Sequence, residues 1–235
     1  MPNRVLLVDR QHTAWDPLEE VLRAGGYRVL RFADMATAMS AMANAPPRLV
    51  LMEWCGSGRA AAMVRHLRTQ ARGRYVPVIA LSARRSVDAT IEALQAGADD
   101  LISSVCDAGE IAARIEALQR RCEASDPSAP HADARAVSFA GLHLDPVAMR
   151  AICVSSGQQL ALGRIAFKLL HFMASRPGRI FSRGQLLDRV WGNGALVGDR
   201  TVDVHVSKIR EALGDAGSHV RIETVRGEGY RLSDT

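Results

Sequence analysis

The chain has 235 residues, room for one large domain or two compact ones. Apolar residues at 48% and charged residues at 23% give a globular composition that excludes a disordered or low-complexity chain. No window approaches the ~18–20 uninterrupted apolar residues of a membrane helix, so a cytoplasmic protein with no membrane partner is expected. The net charge of +5 suits a polyanionic partner, and residues 136–235 hold 13 of the basic groups against nine acidic ones.

Residues 1–122 alternate short apolar runs with amphipathic stretches. Strands are predicted at 5–8, 28–32, 49–52, 76–81 and 101–103; near-continuous apolar runs of this length belong to strands buried on both faces. Helix signals lie between them. Asp34 precedes a helix over 35–44, Ser86 precedes one over 87–96 that stops at Gly97, and Asp107 with Glu110 forms a capping box for a helix reaching Cys122. Alternating βα units with short connections predict a five-stranded, doubly wound parallel sheet.

Residues 123–135 are small, polar and proline-containing, without apolar period, and read as a linker. Beyond it the pattern changes. Short strands broken by turn residues over 137–162 predict a small antiparallel sheet. Ala166, Leu169, Leu170 and Met173 then repeat at helical spacing. Ser182 with Gln185 opens a second helix through Trp191, and Asp199 precedes a third at 200–213. A hairpin of 220–225 and 230–232 closes the chain around Arg226 and Gly227. The expected architecture is α/β plus α+β: a 1–122 domain, a 123–135 linker, and a 136–235 winged helix-turn-helix domain with an N-terminal antiparallel sheet.

In the third helix, Val202, Val206, Ile209 and Leu213 form one stripe and fix the predicted buried face. The opposite face is then Arg200, Thr201, Val204, Ser207, Lys208 and Glu211, a mixture suited to a major groove: cations for phosphate or guanine, hydroxyls, and an outward valine for thymine methyls. Arg226, at a glycine-containing hairpin tip, suits a minor groove.

The runs DRTVDVHVSKIREAL and ETVRGEGYRL, preceded by FSRGQLLDRVWG, resemble the winged-helix effector of the OmpR/PhoB family of bacterial response regulators. The first half resembles that family's receiver, most clearly at Ala96, Gly97, Ala98, Asp99 and Asp100. The resemblance implies double-stranded DNA as partner. Arg200, Thr201, Val204, His205, Ser207, Lys208 and Arg210 would then lie in or beside the major groove, with Thr224, Arg226 and Gly227 at the wing and the 192–199 loop facing RNA polymerase. Leu162 to Ala166 departs from the Thr and Glu that usually start the first effector helix.

The receiver departs further. A family receiver carries two acidic residues after strand one and an Asp after strand three, which together hold Mg²⁺, and a Lys after strand five. Here Asp9 keeps the first acid, Arg10 replaces the second, Glu53 stands for the acceptor Asp, and Ser104 with Val105 replaces Lys-Pro. Ser82 matches the family's Thr/Ser, and lysine occurs only at 168 and 208. The readings are a decayed pocket that still folds, an Arg10–Glu53 ion pair standing in for metal and phosphate, or a site for an unknown small ligand.

The four cysteines, at 55, 106, 122 and 153, show no metal-ligand spacing, so reduced thiols and no metal or other cofactor are expected. Cys55 and Cys106 fall at the same receiver edge as the degenerate pocket. The three tryptophans, at 15, 54 and 191, read as core or interface. The resemblance further implies a homodimer through helix four, strand five and helix five, with Asp100 and Arg114 matching one family salt bridge and Val87, Ile91 and Leu94 supplying apolar contact. A parallel dimer would bind direct-repeat sites about one helical turn apart. The leading function is a sequence-specific transcription regulator acting without aspartyl phosphorylation; the alternative is a protein-binding adaptor. With no P-loop, nucleophile motif or complete acid pocket, an enzyme is not expected.

Overall fold

The structure, a computed structural model, describes residues 3–9, 15–56, 58–70, 73–83, 86–103, 107–123, 135–191 and 200–234. Arg10, Ser104, Cys106, Asp199, the 192–199 loop and nearly all of the expected linker therefore lie outside the described residues. The chain divides into two compact units, Met1–Ala117 and Leu118–Thr235.

The first unit runs β1 (Arg4–Val8), α1 (Asp16–Ala24), β2 (Arg28–Phe32), α2 (Met35–Asn44), β3 (Leu49–Glu53), α3 (Arg59–Thr69), β4 (Val78–Ser82), α4 (Val87–Ala96), β5 (Asp100–Ser103) and α5 (Ala108–Glu123). All strand pairs are parallel, in the order β2-β1-β3-β4-β5. The expected sheet is present. Leu6, Val50, Val78 and Leu81 are fully buried, as central strands covered on both faces require. Asp34 accepts from the Thr37 N–H at 2.9 Å and Ser86 from Ala89 N–H at 3.3 Å, capping α2 and α4 where the sequence places the starts. Trp15 and Trp54 are buried.

Arg68 on α3 is 6% exposed and ties the unit together. Its guanidinium donates to the carbonyls of Gly97 at 2.7 Å and Val76 at 2.7 Å, and to Asp99 Oδ2 at 2.9 Å, while Asp99 also accepts from Val78 N–H at 2.8 Å. Gly97 ends α4 with φ +117°, and a Cβ there would sit 3.0 Å from the Arg68 stem. A glycine meets both demands at that crossing.

The second unit opens with an antiparallel sheet of β6 (Val137–Phe139), β7 (Leu142–Asp145) and β8 (Arg150–Cys153). Helices α6 (Arg164–Ala174), α7 (Arg183–Trp191) and α8 (Arg200–Asp215) follow, with β9 (Ile180–Phe181) before α7, and the hairpin β10 (Val220–Val225) and β11 (Gly229–Asp234) ends the chain. Leu169, Leu170, Met173, Leu186, Trp191, Val206 and Ile209 fill its core. Both arms of the predicted box at the start of α7 form: Ser182 N–H donates to Gln185 Oε1 at 3.0 Å, and Gln185 N–H to Ser182 Oγ at 3.2 Å. Gly163 caps α6 without a side-chain bond, in keeping with the departure at that helix start.

The two-residue β9 is absent from the sequence reading. It pairs Phe181 with Tyr230 and Ile180 with Arg231, making the hairpin a three-stranded sheet. The crossing is close: a Cβ on Gly229 would lie 2.0 Å from the Phe181 carbonyl oxygen.

Candidate nucleic-acid interface and the receiver edge

At the carboxyl ends of β1, β3 and β4 the parallel register brings Asp9, Glu53 and Ser82 to one edge, beside the β1/β3 switch point. Among the described residues, a cation reaches this edge from the neighbouring strand. Arg31 on β2 donates to Asp9 Oδ2 at 2.8 Å, to Asp16 Oδ1, and to Glu19 Oε2 at 3.3 Å. Burial works against the Arg31 charge, but the hydrogen bonds to Asp16 and Asp9 outweigh it and hold the guanidinium above its ordinary value. Asp9 is 1% exposed, so Arg31 compensates a carboxylate that would be costly to bury alone. Arg31 escaped the sequence reading; its only signal is a charge between Leu30 and Phe32 near the end of β2.

Glu53 ends β3 and lines, with Asp34, Cys55, Arg59 and the methionines 52 and 63, a cavity of about 180 Å³. Cys55 is exposed, and Ser82 is 6% exposed at the end of β4. Among the described residues no three His, Cys, Asp or Glu side chains gather as metal ligands. Among the described residues, a guanidinium already occupies one oxygen of Asp9, which works against a divalent cation at this edge.

The expected dimer face is altered. Val87 is 59% exposed and Ile91 half-buried, but Leu94 is 1% exposed and belongs to the core. The end of α4 lies inside the unit as a whole, with Ala93 and Ala96 in one cluster with Val64 and Leu67 of α3, and Gly97 close to Val64 and Arg68. Arg114 pairs with Glu110 one turn earlier at 2.7 Å, and Asp100 Oδ1 accepts from the N–H of Leu101 at 2.8 Å.

In the second unit α8 is buried over a wider arc than its apolar stripe indicates. Thr201 at 4%, Val204 at 8% and His205 at 3% exposure all lie inside, which corrects the reading of Val204 as an outward side chain. Helices α6 and α7 and strand β10 all pack on α8, and the His205 ring meets that of Trp191 at 5.2 Å between centroids. Ahead of its last turn, what remains outward on α8 is Arg200, Ser207, Arg210 and Glu211, with Lys208 half-buried.

Arg210 is exposed yet held. Its Nε donates to the Ile222 carbonyl at 2.8 Å and its Nη2 to Thr224 Oγ1 at 2.8 Å, fastening α8 to β10. Below it lies a cluster the sequence did not reveal. Arg183 Nε donates to Asp203 Oδ1 at 2.7 Å, and the Tyr230 hydroxyl donates to the same oxygen at 2.6 Å. Both Arg183 and Arg210 lie over the Tyr230 ring, at 5.1 and 5.8 Å. Burial first, then the bond to Asp203, pushes the Tyr230 phenol above its ordinary value, against the opposing pull of Arg183. The start of α7, α8 and both wing strands are thus locked together. At the wing tip Arg226, Gly227 and Glu228 are exposed, with Gly227 at φ +78°.

A receiver-like parallel sheet followed by three helices and a hairpin wing defines a two-part regulator with a nucleic-acid-facing end. Residues 5–116 match the response regulator receiver domain and residues 157–232 match the C-terminal domain of transcriptional regulatory proteins. The phosphate regulon transcriptional regulatory protein PhoB of Escherichia coli (strain K12) is 35% identical over 235 residues, covering 99% of each chain. The sensory transduction protein RegX3 of Mycobacterium tuberculosis is 33% identical over 233 residues, covering 97% of this chain and 98% of its own. A cysteine-to-serine mutant of RitR shares the fold with TM-score 0.78 at 23% identity, over 99% of this chain and all of its own. The chain belongs to the OmpR/PhoB family of DNA-binding transcriptional response regulators.

Proposed function

We propose that this protein is a sequence-specific transcription regulator that works without aspartyl phosphorylation. The observation that carries this reading is the Arg31 guanidinium seated on buried Asp9, at an edge where Glu53 stands for the phosphate acceptor and no receiver lysine exists, lysine occurring only at 168 and 208. With a fixed internal cation on the first acid, the charge a metal would neutralise is already balanced, and the lysine that would pair with a phosphoryl group is missing from the receiver. We assign the receiver to 1–122, the linker to 123–135 and the DNA-binding domain to 136–235.

The reading surface is α8 and the wing. Arg200, Ser207 and Lys208 face the major groove, and Arg226 with Gly227 enters the minor groove. Arg210 and Thr224 position the wing, while Thr201, Val204 and His205 support α8 from inside. The protein acts as a homodimer on direct repeats, with Val87, Ile91, Asp100 and Arg114 on the dimer face and the 192–199 loop toward RNA polymerase, in the cytoplasm. Incubation with a small-molecule phosphodonor and Mg²⁺ is expected to add no phosphoryl group by intact mass and to leave duplex affinity unchanged. A stoichiometric, alkali-labile phosphoryl adduct that tightens DNA binding would overturn the reading. Sedimentation of the untreated protein at micromolar concentration is expected to show dimer.

A further inference from the structure

The second unit carries a concave surface that DNA reading does not use. Phe172 on α6 and Phe181 on β9 pack with ring centroids 4.9 Å apart, and three guanidiniums lie on them: Arg176 over Phe172 at 4.7 Å, Arg189 over Phe172 at 5.6 Å, and Arg179 over Phe181 at 5.2 Å. With Asp188 these side chains line an open groove of about 580 Å³.

The cations outnumber the carboxylate. Among the described residues Arg176 and Arg179 form no ion pair, and Arg176 Nη1 is buried without a hydrogen-bond partner. A buried donor left unmatched is costly. A guanidinium carries its N–H groups at the rim of its own plane, where a carboxylate meets them in bidentate fashion. The groove therefore offers charge-assisted donors around an aromatic floor.

Its place on α7 separates it from the DNA-reading surface. Arg183, which reaches Asp203 on α8, lies roughly 140° around the helix from Asp188 and roughly 120° from Arg189, since each residue advances ~100°. A ligand in this groove thus approaches the side of α7 away from α8. A duplex held on α8 and the wing does not fill it.

We propose that this groove docks an acidic segment of a partner protein, its carboxylates on Arg176 and Arg179 and an apolar side chain against Phe172. The charge excess selects acidic chemistry, and the aromatic floor favours a peptide with apolar residues between its carboxylates over a bare polyanion. This site stands whether or not the receiver is phosphorylated.

The test uses the full chain and a fluorescein-labelled dodecapeptide of repeating Glu-Glu-Leu, with the Gln-Gln-Leu repeat as control. Anisotropy is expected to show saturable binding of the acidic peptide only. The double variant Arg176→Gln/Arg179→Gln is expected to weaken it about tenfold, the order of a lost charge-assisted contact, with duplex DNA affinity unchanged. The variant Arg176→Lys/Arg179→Lys keeps the charge without the fork; a smaller but measurable weakening of peptide binding is expected, and it serves if the glutamine variant does not fold. Equal binding of both peptides, or peptide affinity unaltered in the variants, would overturn the proposal. So would a parallel loss of duplex DNA affinity, which would make the groove part of the nucleic-acid surface.

Discussion

In the receiver unit Arg31 and Arg68 end on carboxylates and carbonyls of their own domain, whereas in the DNA-binding unit Arg200 and Arg226 end in solvent. Arg183 and Arg210 stand between the two cases, holding the exposed surface in shape from its margins. An inward arginine directs most of its hydrogen bonds to the fold; an outward one keeps them for a ligand. The same residue type therefore holds the receiver unit together and stands free on the proposed nucleic-acid surface, and net charge alone distinguishes neither.

The largest test of that contrast is Arg68→Ala, which strands Asp99 without its cation and removes the donor to the Gly97 and Val76 carbonyls. Breaking a buried pair from one side typically costs about 3–5 kcal/mol, so urea unfolding should move to much lower denaturant and amides of β4 and β5 should exchange faster. An unchanged midpoint would show that the pair does not hold the unit. Arg31→Ala should cost less, about 1–3 kcal/mol, because its guanidinium is partly solvated. Asp9, Asp16 and Glu19 then repel one another, and added Mg²⁺ should raise the melting temperature of the variant more than that of the wild type. Equal shifts would mean that Arg31 does not keep cations out.

On the outward side, Lys208→Ala should cost about 1–3 kcal/mol on the preferred duplex and relax the preference at one or two positions. Equal loss on random duplexes would make Lys208 a phosphate contact. The smallest effect belongs to the margin: Tyr230→Phe removes the hydroxyl bond to Asp203 and should cost about 1 kcal/mol. A phenol whose pKa is raised by folding stabilises the folded chain below its ordinary value of 10.0 and loses that contribution as pH rises past it. The stability gap between wild type and Tyr230→Phe should thus be constant at neutral pH and shrink above pH 10.0. A gap that widens there would reverse the assigned direction.

The parts legible in the sequence are those fixed by neighbours along the chain. Asp34, Ser86 and Ser182 mark helix starts because the donors they cap lie three residues on. Apolar runs mark the central strands because both faces are covered. What the sequence hides depends on residues far apart. Arg31 meets Asp9 only when β1 and β2 pair, and Tyr230 meets Asp203 only after β11 crosses to β9. The helical wheel of α8 misplaced Val204 because the wheel shows one apolar stripe, while packing from two helices covers more of the circumference. Leu94 fails similarly at the α4 end, where Ala93, Leu94 and Ala96 are all buried.

The two bonds from Arg210 make the wing and the α8 helix a calliper with its gauge set by the fold. Such an instrument measures one separation and does not average over several. On the proposed DNA site, a base pair inserted between the segment read by α8 and the flank touched by Arg226 meets jaws that do not widen, so one contact must be surrendered whole. Releasing the gauge at Thr224 would trade that strictness for tolerance of spacing, a change of selectivity reached without altering any side chain that faces a base.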